Sequence, residues 1–310
     1  MKMGMKVVLA GDLGAADWQA WRAALSQAMP EAQWLSPDEA RAEQEHESGG
    51  LGLAAAVVAN PPPGSLTQLR GLRLIQSLWA GVDRLLADAT LPAGVPIARM
   101  VDPAMTAAMA ETALWATLAL HRGFFAYQQR QREGQWRQHR QRRASELHVL
   151  VLGQGEMGRR VAVDLQHRGY AVDTWRRDGS ALPPLLARCD IVINLLPLTP
   201  ETHGLLDARF FAALPMQASL VNLGRGAHVV DGDLLAALDA GQLRHAVLDV
   251  FHTEPLPAAH RYWSHPRVTM LPHAAALTDP RSAAAVVAAN LRALRDGRPI
   301  AHLVDRAQGY

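Results

Sequence analysis

Only one cysteine, Cys189, occurs in 310 residues, so the chain cannot close an internal disulfide. That places its expected workplace in a reducing compartment, the cytoplasm. Cys189 itself, just ahead of an apolar stretch, reads as a small buried hydrophobe rather than a nucleophile. Long apolar runs are also missing. Nothing approaches the ~20 residues a membrane-spanning helix needs, and the run Val7 to Ala10 meets Asp12 too soon for a secretion signal. Charge of one sign is not in excess: 31 Lys and Arg oppose 29 Asp and Glu. A nucleic-acid binder would need a concentrated basic surface. No repeat of about 20 to 50 residues is visible, and the scattered histidines lack ligand spacing, so no metal site is expected. What is present is apolar content of 49%, which fits an ordered globular chain long enough for two domains.

Strand and helix patterns alternate along the chain. Lys6 to Ala10, Leu53 to Ala59 and Leu72 to Ser77 read as strands, and Asp17 to Ala28 as an amphipathic helix. Asp102 should cap a long helix ending at Arg122, with Pro103 at its first position. Arg130 to Arg143 is the most polar stretch, with Trp136 and His139 interleaved. Glu133 and Glu146 interrupt its charge, so a solvated helix or loop is the better reading than a nucleic-acid arm. The βα rhythm then restarts. His148 to Leu152, Ala171 to Trp175, Ile191 to Leu195, Ser219 to Leu223, His245 to Val250 and Arg267 to Leu271 read as strands, the last four apolar enough to be covered on both faces. Gly158 to His167 and Pro280 to Leu294 read as helices. The expected class is α/β: two Rossmann-like domains with parallel sheets. The substrate domain is discontinuous (residues 1–98 and 277–310), and 99–276 forms the dinucleotide domain.

Val149 to Leu152 runs straight into Gly153-Gln154-Gly155-Glu156-Met157-Gly158, followed by a helical pattern. In that setting a GxGxxG turn binds a dinucleotide. Gly153 permits the tight turn, Gly155 lets the backbone approach a pyrophosphate, and Gly158 lets helix and strand pack closely. An acid usually ends the next strand when the ribose carries a free 2′-hydroxyl. Here Asp173 sits mid-strand and the tip reads Trp175-Arg176-Arg177. Two guanidiniums suit a 2′-phosphate, so NADP(H) is the expected cofactor, with NAD(H) possible; two solvated surface arginines are the alternative.

Three further residues follow strand candidates. Arg225 stands in Asn222-Leu223-Gly224-Arg225-Gly226, Glu254 in Leu248 to Leu256, and His273 in Leu271-Pro272-His273-Ala274-Ala275. Ligands of doubly wound sheets bind outside the carboxyl ends of the strands, so all three could converge on one ligand. Singly, each has a plainer reading as a loop, turn or strand-end residue.

With these motifs the chain resembles the D-2-hydroxyacid dehydrogenases. The stretches Leu195 to Thr202, Asn222 to Gly226, Leu248 to Pro257 and Pro272-His273 carry the likeness in order and spacing. Trp175 to Arg177, Asn194 to Pro197 and the ending Val304 to Tyr310 bring it nearest the bacterial glyoxylate/hydroxypyruvate reductases. The resemblance implies reduction of a small 2-oxo acid, such as glyoxylate or hydroxypyruvate, to the D-2-hydroxy acid in a cleft between the domains. Arg225 would hold the carboxylate and polarise the carbonyl, His273 would serve as general acid and base, and Glu254 would orient it. Trp79, Ala80, Gly81 and Val82 match the loop that cradles the substrate carboxylate. Gly153, Gly155, Glu156, Met157, Gly158, Trp175, Arg176, Arg177, Leu196, Pro197, Thr202, Leu223 and Asp249 would meet the cofactor, Asp249 at the nicotinamide carboxamide. A homodimer is implied as well. Trp79 and Trp115 read as core residues, with pocket walls as the second reading. Two other functions stay open: a dehydrogenase for a larger 2-oxo acid, and a dinucleotide-sensing regulatory protein on the same fold.

Overall fold

The computed structural model describes residues 5–46, 53–177 and 179–310. The chain forms two compact units. One contains the residues up to Met105 together with Thr278–Tyr310, and the other contains Thr106–Leu277.

The first unit holds β1 (Met5–Gly11), α1 (Ala15–Ala28), β2 (Ala32–Leu35), α2 (Pro37–His46), β3 (Leu53–Ala59), β4 (Ile75–Ser77), α3 (Asp83–Leu86) and β5 (Ile97–Ala98). Its five strands pair in the order β2-β1-β3-β4-β5, every pair parallel. Val7, Val8, Leu9 and Ala10 of β1 are all buried, as a strand covered on both faces requires. α4 (Pro103–Arg122) starts where the sequence places it, with the Ala104 amide donating to Asp102 Oδ1 at 3.0 Å. The limit between the units, at Met105, falls in its first turn.

In the second unit follow α5 (Phe124–Arg132), β6 (His148–Leu152), α6 (Glu156–His167), β7 (Ala171–Trp175), α7 (Pro183–Leu186), β8 (Ile191–Asn194), α8 (Ala208–Ala212), β9 (Ala218–Asn222), α9 (Asp231–Asp239), β10 (Leu243–Leu248) and β11 (Val268–Met270). The strand order is β11-β10-β9-β8-β6-β7, again all parallel. Alternate residues feed two cores: Leu150, Leu152, Val192 and Leu220 one face, Val149, Val151, Ile191 and Val221 the other. α6 buries Gly158, Val161, Ala162 and Leu165, a single stripe at helical spacing. The order reverses between β6 and β8, and such a switch point opens a crevice at the carboxyl ends of the strands.

α10 (Pro280–Arg295) belongs to the first unit. Asp279 caps it by accepting from the Arg281 amide, and Ala283, Ala284, Val287, Ala288 and Leu291 form its buried stripe. Beyond it, Leu303 bridges Ala98 of β5 in antiparallel fashion. Two expectations need correction. β11 is the sheet's edge strand, so Val268, Thr269 and Met270 are only half-buried rather than covered on both faces. Trp115 is not a core residue: it is 42% exposed on α4 and meets Phe125 edge-on. Trp79 is half-buried. Among the described residues no helix is long and apolar enough to cross a membrane.

Candidate active site

Every loop at the carboxyl edge of the second sheet carries a residue singled out above. Gly153 follows β6, Arg176 and Arg177 follow β7, and Leu196 and Pro197 follow β8. Arg225 follows β9, Glu254 follows β10, and His273 follows β11.

Glu254 and His273 are in direct contact. The carboxylate Oε2 lies 2.6 Å from the imidazole Nδ1, while Oε1 accepts the Phe251 amide at 2.8 Å. Paired with a carboxylate, Nδ1 carries the hydrogen, which leaves Nε2 to face outward. The hydrogen bond that Nδ1–H donates to Glu254 raises the His273 pKa above its ordinary 6.5; desolvation and the Arg225 charge oppose this without cancelling it. Burial pushes Glu254 upward, but the His273 hydrogen bond, the Phe251 amide and the His273 and Arg225 charges leave it below its ordinary value. His273 has a backbone φ of 54°, in the left-handed region. A non-glycine residue held there marks a conformation fixed by its surroundings. The His273 amide, donating to the Asp249 carbonyl at 2.8 Å, supplies part of that hold.

Asp249, one residue past β10, is 1% exposed and accepts from the Ala274 amide at 2.7 Å and the Ala275 amide at 3.2 Å. Burial raises its pKa, and those two amides work against the rise. Its carboxylate thus pins the loop that carries His273. Arg225 is half-buried, and its Nη1 donates to the Gly224 carbonyl at 2.8 Å. The glycine after it has no alternative: a Cβ on Gly226 would lie 1.9 Å from the Phe251 carbonyl carbon.

The three glycines of the turn differ in what surrounds them. Gly153 has φ 108°, and a Cβ there would come within 2.7 Å of the Leu195 carbonyl oxygen. A Cβ on Gly158 would sit 1.9 Å from the Gly153 carbonyl oxygen. One on Gly155 would meet nothing within 4 Å. The first two serve the protein's own packing, while the third borders open space at the start of α6. A pyrophosphate fits that opening, because the free amides of a helix N-terminus point into it. Glu156 is exposed and Met157 half-buried. Trp175, Leu196 and Leu223 are buried, so these positions offer a ligand mainly backbone. Thr202 is buried too, its hydroxyl donating to the Pro197 carbonyl at 2.8 Å.

Arg176 and Arg177 are exposed beyond β7, with Arg177 Nη1 3.6 Å from Glu201. Asp173, the other acid considered for a ribose, lies mid-strand and is gripped by Arg188 at 2.8 Å through Nη2. Trp79, Ala80, Gly81 and Val82 belong to the first unit, where Ser77 Oγ accepts the Trp79 amide and the Met100 amide donates to the Trp79 carbonyl. Among the described residues, no group of three metal-ligating side chains occurs. Sequence reasoning gave no role to the polar residues beneath the Arg225 loop, Asn194, Asn222 and His228, all fully buried. Asn194 and Asn222 each open a stretch that carries the likeness, whereas no motif announces His228.

The chain is similar to known proteins over nearly its whole length. Residues 114–275 match the family model for the NAD binding domain of D-isomer specific 2-hydroxyacid dehydrogenases. Glyoxylate/hydroxypyruvate reductase A of Serratia proteamaculans is 40% identical, covering 94% of this chain and 96% of that one. The protein of the same name from Yersinia enterocolitica is 39% identical over 82% of this chain and 87% of its own. Among solved structures, a D-isomer specific 2-hydroxyacid dehydrogenase of Xanthobacter autotrophicus Py2, in complex with NADPH and MES, superposes with a TM-score of 0.89 at 37% identity, covering 99% of this chain and 100% of that one. An NADPH-dependent glyoxylate/hydroxypyruvate reductase of Sinorhizobium meliloti, in complex with NADP and sulfate, gives 0.87 at 31% identity with the same coverage.

Proposed function

The chain belongs to the D-2-hydroxyacid dehydrogenase family, and we propose that it reduces a small 2-oxo acid, glyoxylate or hydroxypyruvate, to the D-2-hydroxy acid at the expense of NADPH. The observation that carries this reading is the Glu254–His273 contact of 2.6 Å within reach of the Arg225 charge. A raised imidazole pKa beside a fixed guanidinium suits a carbonyl that must gain a proton next to a carboxylate.

Bound NADPH supplies the hydride. The chain's residues do the rest. Arg225 binds the carboxylate and draws electron density onto the keto oxygen, where charge develops. His273 donates its Nε2 proton to that oxygen, and Glu254 keeps Nδ1–H occupied so that only Nε2 faces the substrate. In the reverse direction the neutral imidazole removes the proton. Trp79, Ala80, Gly81 and Val82 of the first unit are the further substrate-binding residues, by their match to the family's carboxylate loop. Gly155 and the start of α6, with Glu156 and Met157, receive the pyrophosphate. Arg176 and Arg177 receive the 2′-phosphate, and Asp249 takes the nicotinamide carboxamide. By these roles residues 99–276 are the dinucleotide domain, and 1–98 with 277–310 the substrate domain.

Four exposed apolar side chains of the second unit, Trp115 (42% exposed), Leu118, Phe124 and Trp136 (98% exposed), support a homodimer. A cytoplasmic setting is supported by the single cysteine, Cys189, which can close no internal disulfide. The test is consumption of reduced cofactor, followed by its absorbance, across a panel of 2-oxo acids. Turnover of glyoxylate or hydroxypyruvate, faster with NADPH than with NADH, is the expected result. No consumption with any 2-oxo acid would sink the reading.

A further inference from the structure

Arg225 is fixed at its backbone by a buried polar cluster. Asn194 closes β8 and Asn222 closes β9, while His228 ends the short 3-10 turn Gly226–His228; all three are fully buried. Asn222 Nδ2 donates to the Arg225 carbonyl at 3.0 Å, and its Oδ1 accepts from Asn194 Nδ2 at 2.9 Å. Asn194 Nδ2 also lies 2.8 Å from His228 Nδ1, and the Arg225 amide points at the same nitrogen from 3.2 Å. On the far side of the ring, His228 Nε2 is 3.2 Å from the Pro197 carbonyl.

These partners leave one assignment. Nδ1 faces two N–H donors and must accept, whereas Nε2 faces a carbonyl and must donate. The ring is therefore neutral, with its hydrogen on Nε2. Each of its nitrogens is committed to a different loop: Nδ1 to the backbone of Arg225, Nε2 to the segment after β8. The Asn194 amide group adds a parallel tie, since its Oδ1 accepts the Leu196 amide at 3.2 Å. Space does not permit slack, because a Cβ on Gly224 would fall 3.2 Å from His228 Nδ1 and 3.1 Å from the Leu196 carbonyl.

We propose that His228 is a positioning residue that holds two ligand-facing loops separately, the Arg225 loop through Nδ1 for the 2-oxo acid and the Leu196–Pro197 segment through Nε2 for the nucleotide. The proposal rests on the substrate and cofactor roles given above for Arg225, Leu196 and Pro197. It differs from a core-filling histidine in predicting that its two nitrogens can be disabled separately.

Three variants separate them. His228→Asn keeps an acceptor near the Nδ1 position and has no group at Nε2. His228→Gln reaches Pro197 with a donor and leaves Nδ1 unreplaced. His228→Leu removes both. NADPH affinity is read by fluorescence titration in the absence of substrate, and KM for glyoxylate by steady-state turnover. The Asn variant is expected to weaken NADPH binding roughly 3- to 10-fold, the worth of one hydrogen bond, while its glyoxylate KM stays near wild type. The Gln variant should show the converse, and the Leu variant both losses. Equal losses in both parameters for Asn and Gln, or no loss in either, would overturn the proposal. Wild-type protein labelled with 15N-histidine gives a readout that needs no variant to fold. A buried imidazole hydrogenated on Nε2 at neutral pH supports the proposal, and one hydrogenated on Nδ1 or on both nitrogens refutes it. If wild-type protein turned over no 2-oxo acid, the functional reading would fail first, and the NADPH titrations and the spectrum would still decide the link between His228 and the Pro197 segment.

Discussion

Glu254 divides its two oxygens between His273 and its own loop: Oε2 meets the imidazole Nδ1 at 2.6 Å and Oε1 takes the Phe251 amide at 2.8 Å. The carboxylate is thereby fixed before it fixes the ring. An imidazole held this way stays protonated above its ordinary 6.5. Reduction consumes the protonated form, so kcat/KM for the 2-oxo acid should be level below the raised pKa and fall as pH rises through it. Oxidation of the hydroxy acid should show the opposite limb. Glu254→Gln removes the negative charge that favours the imidazolium and leaves one carbonyl oxygen to serve both His273 and the Phe251 amide, so it should shift the fall in reduction to lower pH. A Gln variant whose pH profile overlays that of wild type would show that Glu254 does not set the His273 proton.

Removing the imidazole itself tests the proton's source. His273→Ala should lower kcat by at least ~100-fold, the scale general acid catalysis supplies, with NADPH affinity unchanged. His273 sits at φ 54°, where Asn is better tolerated than Ala, so His273→Asn is the companion that preserves the loop. Near-normal turnover in either folded variant would remove His273 from the chemistry.

The glycines of the dinucleotide turn predict two distinct failures. Gly158→Ala must displace the Gly153 carbonyl, which a Cβ would approach to 1.9 Å, so it should lower thermal stability as well as NADPH binding. Gly155→Ala meets nothing within 4 Å. It should leave the melting temperature alone and weaken NADPH on the order of 10-fold, about 1.4 kcal/mol, by occupying space meant for the pyrophosphate. A melting shift in the Gly155 variant equal to that of the Gly158 variant would argue that both are merely structural.

Much of this was legible beforehand because the site is local in sequence. Glycine turns and residues just past apolar strands announce themselves, and β6, β8 and α10 lie within a residue or two of their expected places. Elements with weak apolar patterns were missed. β2 buries only Leu35, and β5 is two residues long. The start of α2 was readable and overlooked: Ser36 and Glu39 form a reciprocal capping box, with the Ser36 amide donating to Glu39 Oε2 at 2.6 Å, and Pro37 opens the helix. Trp115 misled because an aromatic inside an apolar helix suggests core, whereas its face of α4 is exposed. The cluster of Asn194, Asn222 and His228 joins residues far apart in sequence, and only the fold brings them together.

In the proposed reading, cofactor choice turns on Arg176 and Arg177. Asp173 is held by Arg188 and so is not free to take a ribose hydroxyl, which leaves the two exposed arginines as the groups at the end of β7. Replacing both by Ala should raise KM for NADPH by roughly 10- to 100-fold, as expected for lost charge-assisted hydrogen bonds. NADH kinetics should be little affected. An unchanged ratio of kcat/KM for the two cofactors would place 2′-phosphate recognition elsewhere.

One buried amide pair ties α10 to the sheet of the first unit. Asn290 of α10 donates to Gln76 Oε1 of β4 at 2.7 Å, and its own Oδ1 accepts the Ala301 amide at 3.1 Å. Gln76 in turn donates to the Ser77 and Ala98 carbonyls. Asn290 is 3% exposed and Gln76 is fully buried, so the freed Gln76 oxygen finds no water, whereas Ala301 is exposed. Asn290→Ala strands the Gln76 oxygen, costing about 1–3 kcal/mol for that unsatisfied group. Asn290→Asp should be worse, because it sets a carboxylate oxygen against the Gln76 oxygen in a site that desolvates charge. Urea denaturation should show both variants less stable than wild type, in that order. An Asn290→Ala variant as stable as wild type would mean that α10 is held to its sheet by apolar packing alone.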